Sequence, residues 1–107
     1  MDYSLTKSEK LFSLDHPTSS GHFPGNPIIP GAVLLAEVVL AIEKRLNRKL
    51  TPYKIKSAKF SHPVRPGDLF SMEFDETVQN EIKFQCRVGE NIVLTGSVKC
   101  DSLSTTL

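Results

Sequence analysis

The sequence predicts one α+β domain in which a single apolar helix is wrapped by a curved antiparallel sheet. Three observations carry that expectation. A lone run of strong helix formers, AVLLAEVVLAIEKRL, extends from Ala32 to Leu46. After Pro52 the pattern changes to period two, and turn residues divide it into four strand-length runs at hairpin spacing. With 107 residues, 39% of them apolar and 23% charged, the chain (1–107) suits one core and no second domain. A domain of this size buries only about two thirds of the surface its unfolded chain exposes, so a subunit interface is expected to supplement the core.

Each element follows in order. The segment Glu9 to Leu14, with Leu11 and Phe12, reads as a short strand. From His16 to Gly31 the chain is dense in Pro, Gly, Ser and His, and repeated proline forbids both a regular helix and a sheet ladder, which leaves an ordered loop. The helix from Ala32 stops near Asn47 after a basic last turn that suits its C-terminal dipole. Its first eleven residues are apolar on every side except at Glu37, the pattern of a buried helix. Strands are predicted at Tyr53 to Phe60, Asp68 to Glu76, Glu81 to Val88 and Ile92 to Cys100, divided by Pro66-Gly67, Gln79-Asn80 and Gly89-Glu90-Asn91. The tail 102–107 is expected to fray.

Composition excludes several classes of function. The longest uncharged stretch, Phe23 to Ala36, is interrupted by Pro24, Pro27 and Pro30 and falls short of the about 20 residues a membrane helix needs. Met1 to Asp15 lacks the pattern of a secretory leader, so the expected compartment is the cytoplasm. Cys86 and Cys100 are too few and too far apart for a disulfide framework or a paired-thiolate zinc site, and read as packing thiols. No phosphate loop, nucleophile elbow or metal-binding H-E-x-x-H helix is present, so neither a cofactor nor a metal is expected. A net charge of +1 does not announce a nucleic-acid binder. Lys44, Arg45, Arg48, Lys49, Lys54, Lys56 and Lys59 nevertheless follow one another with no intervening acid. Such a patch suits an acidic partner or a phosphate-bearing carrier, or is simply a solvated surface. With only Tyr53 interleaved, it offers bases little to stack on.

Three positions carry candidate chemistry. Pro30 and Gly31 open the helix with no side-chain cap at hand, so its first N–H groups either meet water or serve a ligand. A carbonyl gaining negative charge would suit those donors, and Gly31 lets it come close. His22, beside Gly21 in the proline-stiffened loop, has a side chain whose ordinary pKa of about 6.5 suits a general base, although loop histidines are more often surface residues. Glu37 is costly to bury among Leu, Val and Ala unless it is protonated, paired or wet. It is either a proton donor or, nearly eclipsing Lys44 two turns on, part of a narrow polar seam, and the seam is slightly favoured.

The run GHFPGNPIIPG, Gly21 to Gly31, resembles the active-site motif of bacterial 3-hydroxyacyl-[acyl carrier protein] dehydratases, and KFSHPVRPGD, Lys59 to Asp68, resembles a later strand and turn of the same family. The resemblance implies the hot-dog fold, a helix inside a curved antiparallel sheet, and a homodimer with sites between subunits. It implies that the substrate is a 3-hydroxyacyl thioester on acyl carrier protein or coenzyme A, dehydrated to the trans-2-enoyl thioester without a cofactor. His22 then matches the base that removes the C2 proton, and Gly31 the N–H that polarises the carbonyl, with Phe23, Pro30, Ala32 and Ala36 along the substrate and Arg45, Arg48 and Lys49 facing the carrier. The family's acid falls fourteen positions after the histidine, which here is Ala36, while Glu37 stands one place later. One helical step turns a side chain by about 100° and displaces it by about 5 Å. Three outcomes follow: Glu37 replaces the acid, the site serves another thioester reaction such as hydrolysis, or the protein binds acyl groups without turning them over.

Overall fold

The computed structural model describes residues 6–13, 28–47, 49–50, 52–76 and 80–100. Its elements are β1 (Thr6–Leu11), α1 (Gly31–Leu46), β2 (Tyr53–Phe60), β3 (Leu69–Glu76), β4 (Glu81–Val88) and β5 (Asn91–Cys100). The strands form one five-stranded sheet in the order β1-β3-β4-β5-β2, every neighbouring pair antiparallel. The helix lies against the inner face. This is the helix-in-curved-sheet arrangement expected from the sequence, with strand boundaries within a residue of expectation after Pro52. Most of the predicted proline-rich loop and the predicted frayed tail lie outside the described residues.

The first strand differs from expectation. It begins at Thr6 and ends at Leu11, because Lys7 to Leu11 pair with Glu73 to Leu69. Phe12 leaves the ladder: its N–H donates to the Asp68 carbonyl at 3.1 Å, and its ring is fully buried, 5.8 Å from that of Phe70. Burying Phe12, worth about 1.5–3 kcal/mol, outweighs continuing an exposed edge strand.

Alternation sets the sheet's faces. Phe70, Met72 and Phe74 of β3, Ile82, Phe84 and Cys86 of β4, and Leu94, Val98 and Cys100 of β5 form the core beneath Leu34, Val38, Val39 and Ile42 of the helix. Val88 pairs directly with Asn91, which leaves Gly89-Glu90 as a two-residue hairpin loop with Gly89 at a φ of 62°. A register shift makes Val93 an extra residue in β5, and it too is buried.

The helix starts at Pro30, whose backbone is extended, and ends at Asn47, which is left-handed and donates its N–H to the Glu43 carbonyl. Its burial within one chain is one-sided. Ala32, Ala36 and Leu40, spaced four apart, are exposed, Leu40 by 56%. The helix is apolar around its circumference, as the sequence indicated, but its own sheet covers only one flank. Strand β2 is left open in the same way: Ile55 alone is partly covered. Tyr53, Ile55, Ala58 and Phe60 stand opposite Cys100, Val98, Gly96 and Leu94 and therefore share the core face of the sheet.

Candidate active site

The site begins where the two sequence motifs meet. Ile29 donates its N–H to the Val64 carbonyl at 2.7 Å, which ties the helix entrance to the segment after β2. That segment is held by its own turn. Arg65 N–H donates to Asp68 Oδ2 at 2.8 Å, Asp68 N–H donates to the Arg65 carbonyl at 3.0 Å, and Gly67 supplies a φ of 96°. Pro-Gly-Asp thus fixes Val64, and Val64 fixes Ile29 just ahead of Pro30 and Gly31.

At the helix start the Pro30 carbonyl accepts from Val33 at 3.0 Å and from Leu34 at 3.2 Å, and no side chain caps the end. The N–H groups of Gly31 and Ala32 have no partner among the described residues. They are two donors at the positive end of the helix, the arrangement that stabilises developing negative charge on a carbonyl oxygen. The Phe60 ring lies over Gly31 and shares with it a hollow of about 340 Å³ that Ile28, Leu34 and His62 also line. His62 directs Nδ1 toward the Ile92 carbonyl at 3.2 Å.

One step along the helix separates two different flanks. Glu37 turns toward β1, its Oε2 4.0 Å from Lys10 Nζ, in a groove of about 620 Å³ between helix and edge strand. Ala36 opens on the other flank, into a hollow of about 530 Å³ lined by Val39, Leu40, Glu43, Lys49 and Tyr53. Glu43 is already engaged, accepting the Leu50 N–H at 2.9 Å. The structure therefore pairs Glu37 in a polar seam and sets a methyl group where the family motif has its acid.

The remaining expected positions divide. Pro30 and Ala32 are exposed beside Gly31, and Arg45 and Lys49 are exposed near the end of the helix. His22, Phe23 and Arg48 lie outside the described residues. Cys86 is fully buried, and burial, with the nearby Glu73 charge adding, pushes its thiol from 9.0 up to about 12, so it stays protonated and packs as an apolar residue. No group of His, Cys, Asp and Glu among the described residues could hold a metal ion. No helix among them is long and apolar enough to cross a membrane.

Sequence reading did not reach Lys10, Phe60 or Tyr53. The period-two pattern of β2 did put Tyr53 and Phe60 in a strand. Only the pairing register shows that both share the core face and border the helix.

A family model described as ApeI-like, ApeI dehydratase, matches residues 4–97. The 3-hydroxyacyl-[acyl-carrier-protein] dehydratase FabZ of Chloroflexus aggregans is 38% identical over 72 residues, 61% of this chain and 50% of the relative. That of Chlamydia trachomatis is 31% identical over 104 residues, 85% of this chain and 68% of the relative. The chain thus spans about half to two thirds of the length of these relatives. Among solved structures, the dehydratase heterocomplex ApeI:P from Xenorhabdus doucetiae superposes with a TM-score of 0.72 at 18% identity, over 90% of this chain and 87% of the other, which shows the hot-dog fold. With the family model spanning nearly all of its length, the chain belongs to the ApeI-like dehydratase family.

Proposed function

We propose that this protein dehydrates 3-hydroxyacyl thioesters to trans-2-enoyl thioesters, with acyl carrier protein as the carrier and coenzyme A thioesters as the alternative. The observation that carries the proposal is the uncapped helix start, where two N–H donors at Gly31 and Ala32 are held in place by the Ile29 to Val64 hydrogen bond. A thioester carbonyl seated there gains enolate character as its C2 proton leaves, and the amides stabilise that charge without reorganisation. His22, nine residues ahead of Gly31, is the base that takes the proton. The C2–H electron pair becomes the C2–C3 double bond, the C3–O bond breaks, and the hydroxyl leaves as water after gaining one proton.

The working unit of the proposal is a homodimer. Support comes from the exposed apolar stripe Ala32, Ala36, Leu40 and the neighbouring core-facing side of β2, a sheet edge left open by its own chain. Arg45, Arg48 and Lys49 are proposed to face the acidic carrier. A second reading, hydrolysis of the thioester or binding without turnover, draws on one observation, the absence of a carboxylate at Ala36. A chain-length panel of 3-hydroxyacyl thioesters followed by mass spectrometry separates the readings. Loss of one water from the acyl group is expected. Free acid and thiol, or unchanged bound substrate, would overturn the dehydratase proposal.

A further inference from the structure

We propose that Tyr53 is the proton donor for the departing hydroxyl, in place of the carboxylate that the helix lacks at Ala36; this rests on the dehydratase reading above. Elimination of water needs a proton on the C3 oxygen as it leaves. Around Ala36 the structure narrows the groups able to give one. Glu37 points to the β1 flank and pairs with Lys10. Glu43 is held by the Leu50 N–H. Tyr53 stands across the hollow from Ala36, on the core-facing side of β2, and is 43% exposed to that open flank. Its hydroxyl has no partner among the described residues. Phenol is an established type of general acid, and a tyrosine rising from the sheet reaches farther than a glutamate on the helix. Ala36 and Tyr53 line the same hollow, so a carboxylate at position 36 or a phenol at position 53 would face the substrate's C3 hydroxyl from either wall.

The step balances. Within one chain Tyr53 and Phe60 stand at opposite ends of β2, and Phe60 lies on Gly31, so the phenol serves the site of the other subunit in the proposed homodimer. As His22 of one subunit takes the C2 proton, the C2–C3 double bond forms, the C3–O bond breaks, and the leaving oxygen takes the phenolic proton of Tyr53 from the other subunit and departs as water. The proton on His22 then returns to the phenolate through solvent, which restores both groups.

The test uses the purified protein and a 3-hydroxyacyl thioester that it dehydrates, with kcat and KM measured separately. Tyr53→Phe keeps the ring and removes only the hydroxyl. It is expected to lower kcat about 100-fold, within the usual range for loss of a general acid, and to change KM by less than about threefold. Adding Ala36→Glu to Tyr53→Phe is expected to recover at least about tenfold of that loss by restoring a carboxylate at the family's position. Unchanged kcat in Tyr53→Phe, or a rise in KM alone, overturns the role of Tyr53 and leaves the dehydratase reading standing. A wild-type protein that forms no enoyl product from any substrate overturns both.

Discussion

The ring of Phe60 rests on the α-carbon of Gly31: a methyl group built there would lie 2.9 Å from Phe60 Cζ. An aromatic from the end of β2 thus closes over the helix start whose N–H groups are proposed to bind the substrate carbonyl. Phe60 is 47% exposed and its tip can swing aside. Gly31→Ala is therefore expected to cost about 1 kcal/mol of stability, at the low end for overpacking, while lowering kcat/KM at least about tenfold by crowding the carbonyl's approach. Urea denaturation and initial rates on the same preparations check the two effects separately.

Gly96 has no such escape. A methyl group there would collide with the backbone carbonyl of Ser57 and lie 2.7 Å from Phe84 Cζ, both within the paired sheet. Gly96→Ala is expected to destabilise the fold by about 3 kcal/mol or more, read as a shift in the denaturant midpoint.

Leu40 stands 56% exposed in the middle of the uncovered helix flank. In the proposed homodimer it is buried against the second copy, and Leu40→Glu would place a charge in that apolar contact. Sedimentation is expected to show a dimer for the wild type and a monomer for the variant. A wild-type protein that is monomeric at every concentration would remove the shared site.

The ion pair of Lys10 and Glu37 spans 4.0 Å, with the two side chains 44% and 24% exposed. Pairs this open are worth at most about 1 kcal/mol. Glu37→Gln is expected to lower stability by no more than that and to leave turnover within about threefold of wild type. A loss of turnover as large as that expected for Tyr53→Phe would make Glu37 the acid.

Cys86 keeps its proton in the folded state to about 12, whereas an unfolded thiol loses it near 9.0. The unfolded state therefore binds fewer protons once the pH passes the lower value. Stability from this thiol is complete below about 9 and falls as pH rises toward about 12. Thermal unfolding followed from neutral to alkaline pH is expected to decline less steeply in Cys86→Ala than in the wild type.

Much of the architecture was legible because it is written in short-range patterns. Helix formers without a breaker marked α1, and period two with Gly and Asn at the turns marked β2 to β5. The start of β1 was not legible: Lys7, Ser8 and Glu9 carry no apolar alternation, and only pairing with Ser71 to Glu73 makes them a strand. The apolar circumference of α1 showed that something covers it, yet not that its own sheet covers one flank and leaves Ala32, Ala36 and Leu40 open. The uncapped helix start at Pro30 and Gly31 was legible because a missing cap is a local property. The direction of Glu37 was not, since it depends on Lys10 facing inward from a strand distant in sequence. Tyr53 shares the hollow at Ala36 for a similar reason, a pairing register between β2 and β5.

The most direct measurement follows a 3-hydroxyacyl thioester in deuterated water by proton NMR, with wild-type protein and with His22→Ala. The expected result is enoyl product and exchange of the C2 proton in the wild type, both reduced at least about 100-fold in the variant. Equal C2 exchange and equal product in the two proteins would contradict the claim that this histidine and the helix-start amides act together on one thioester.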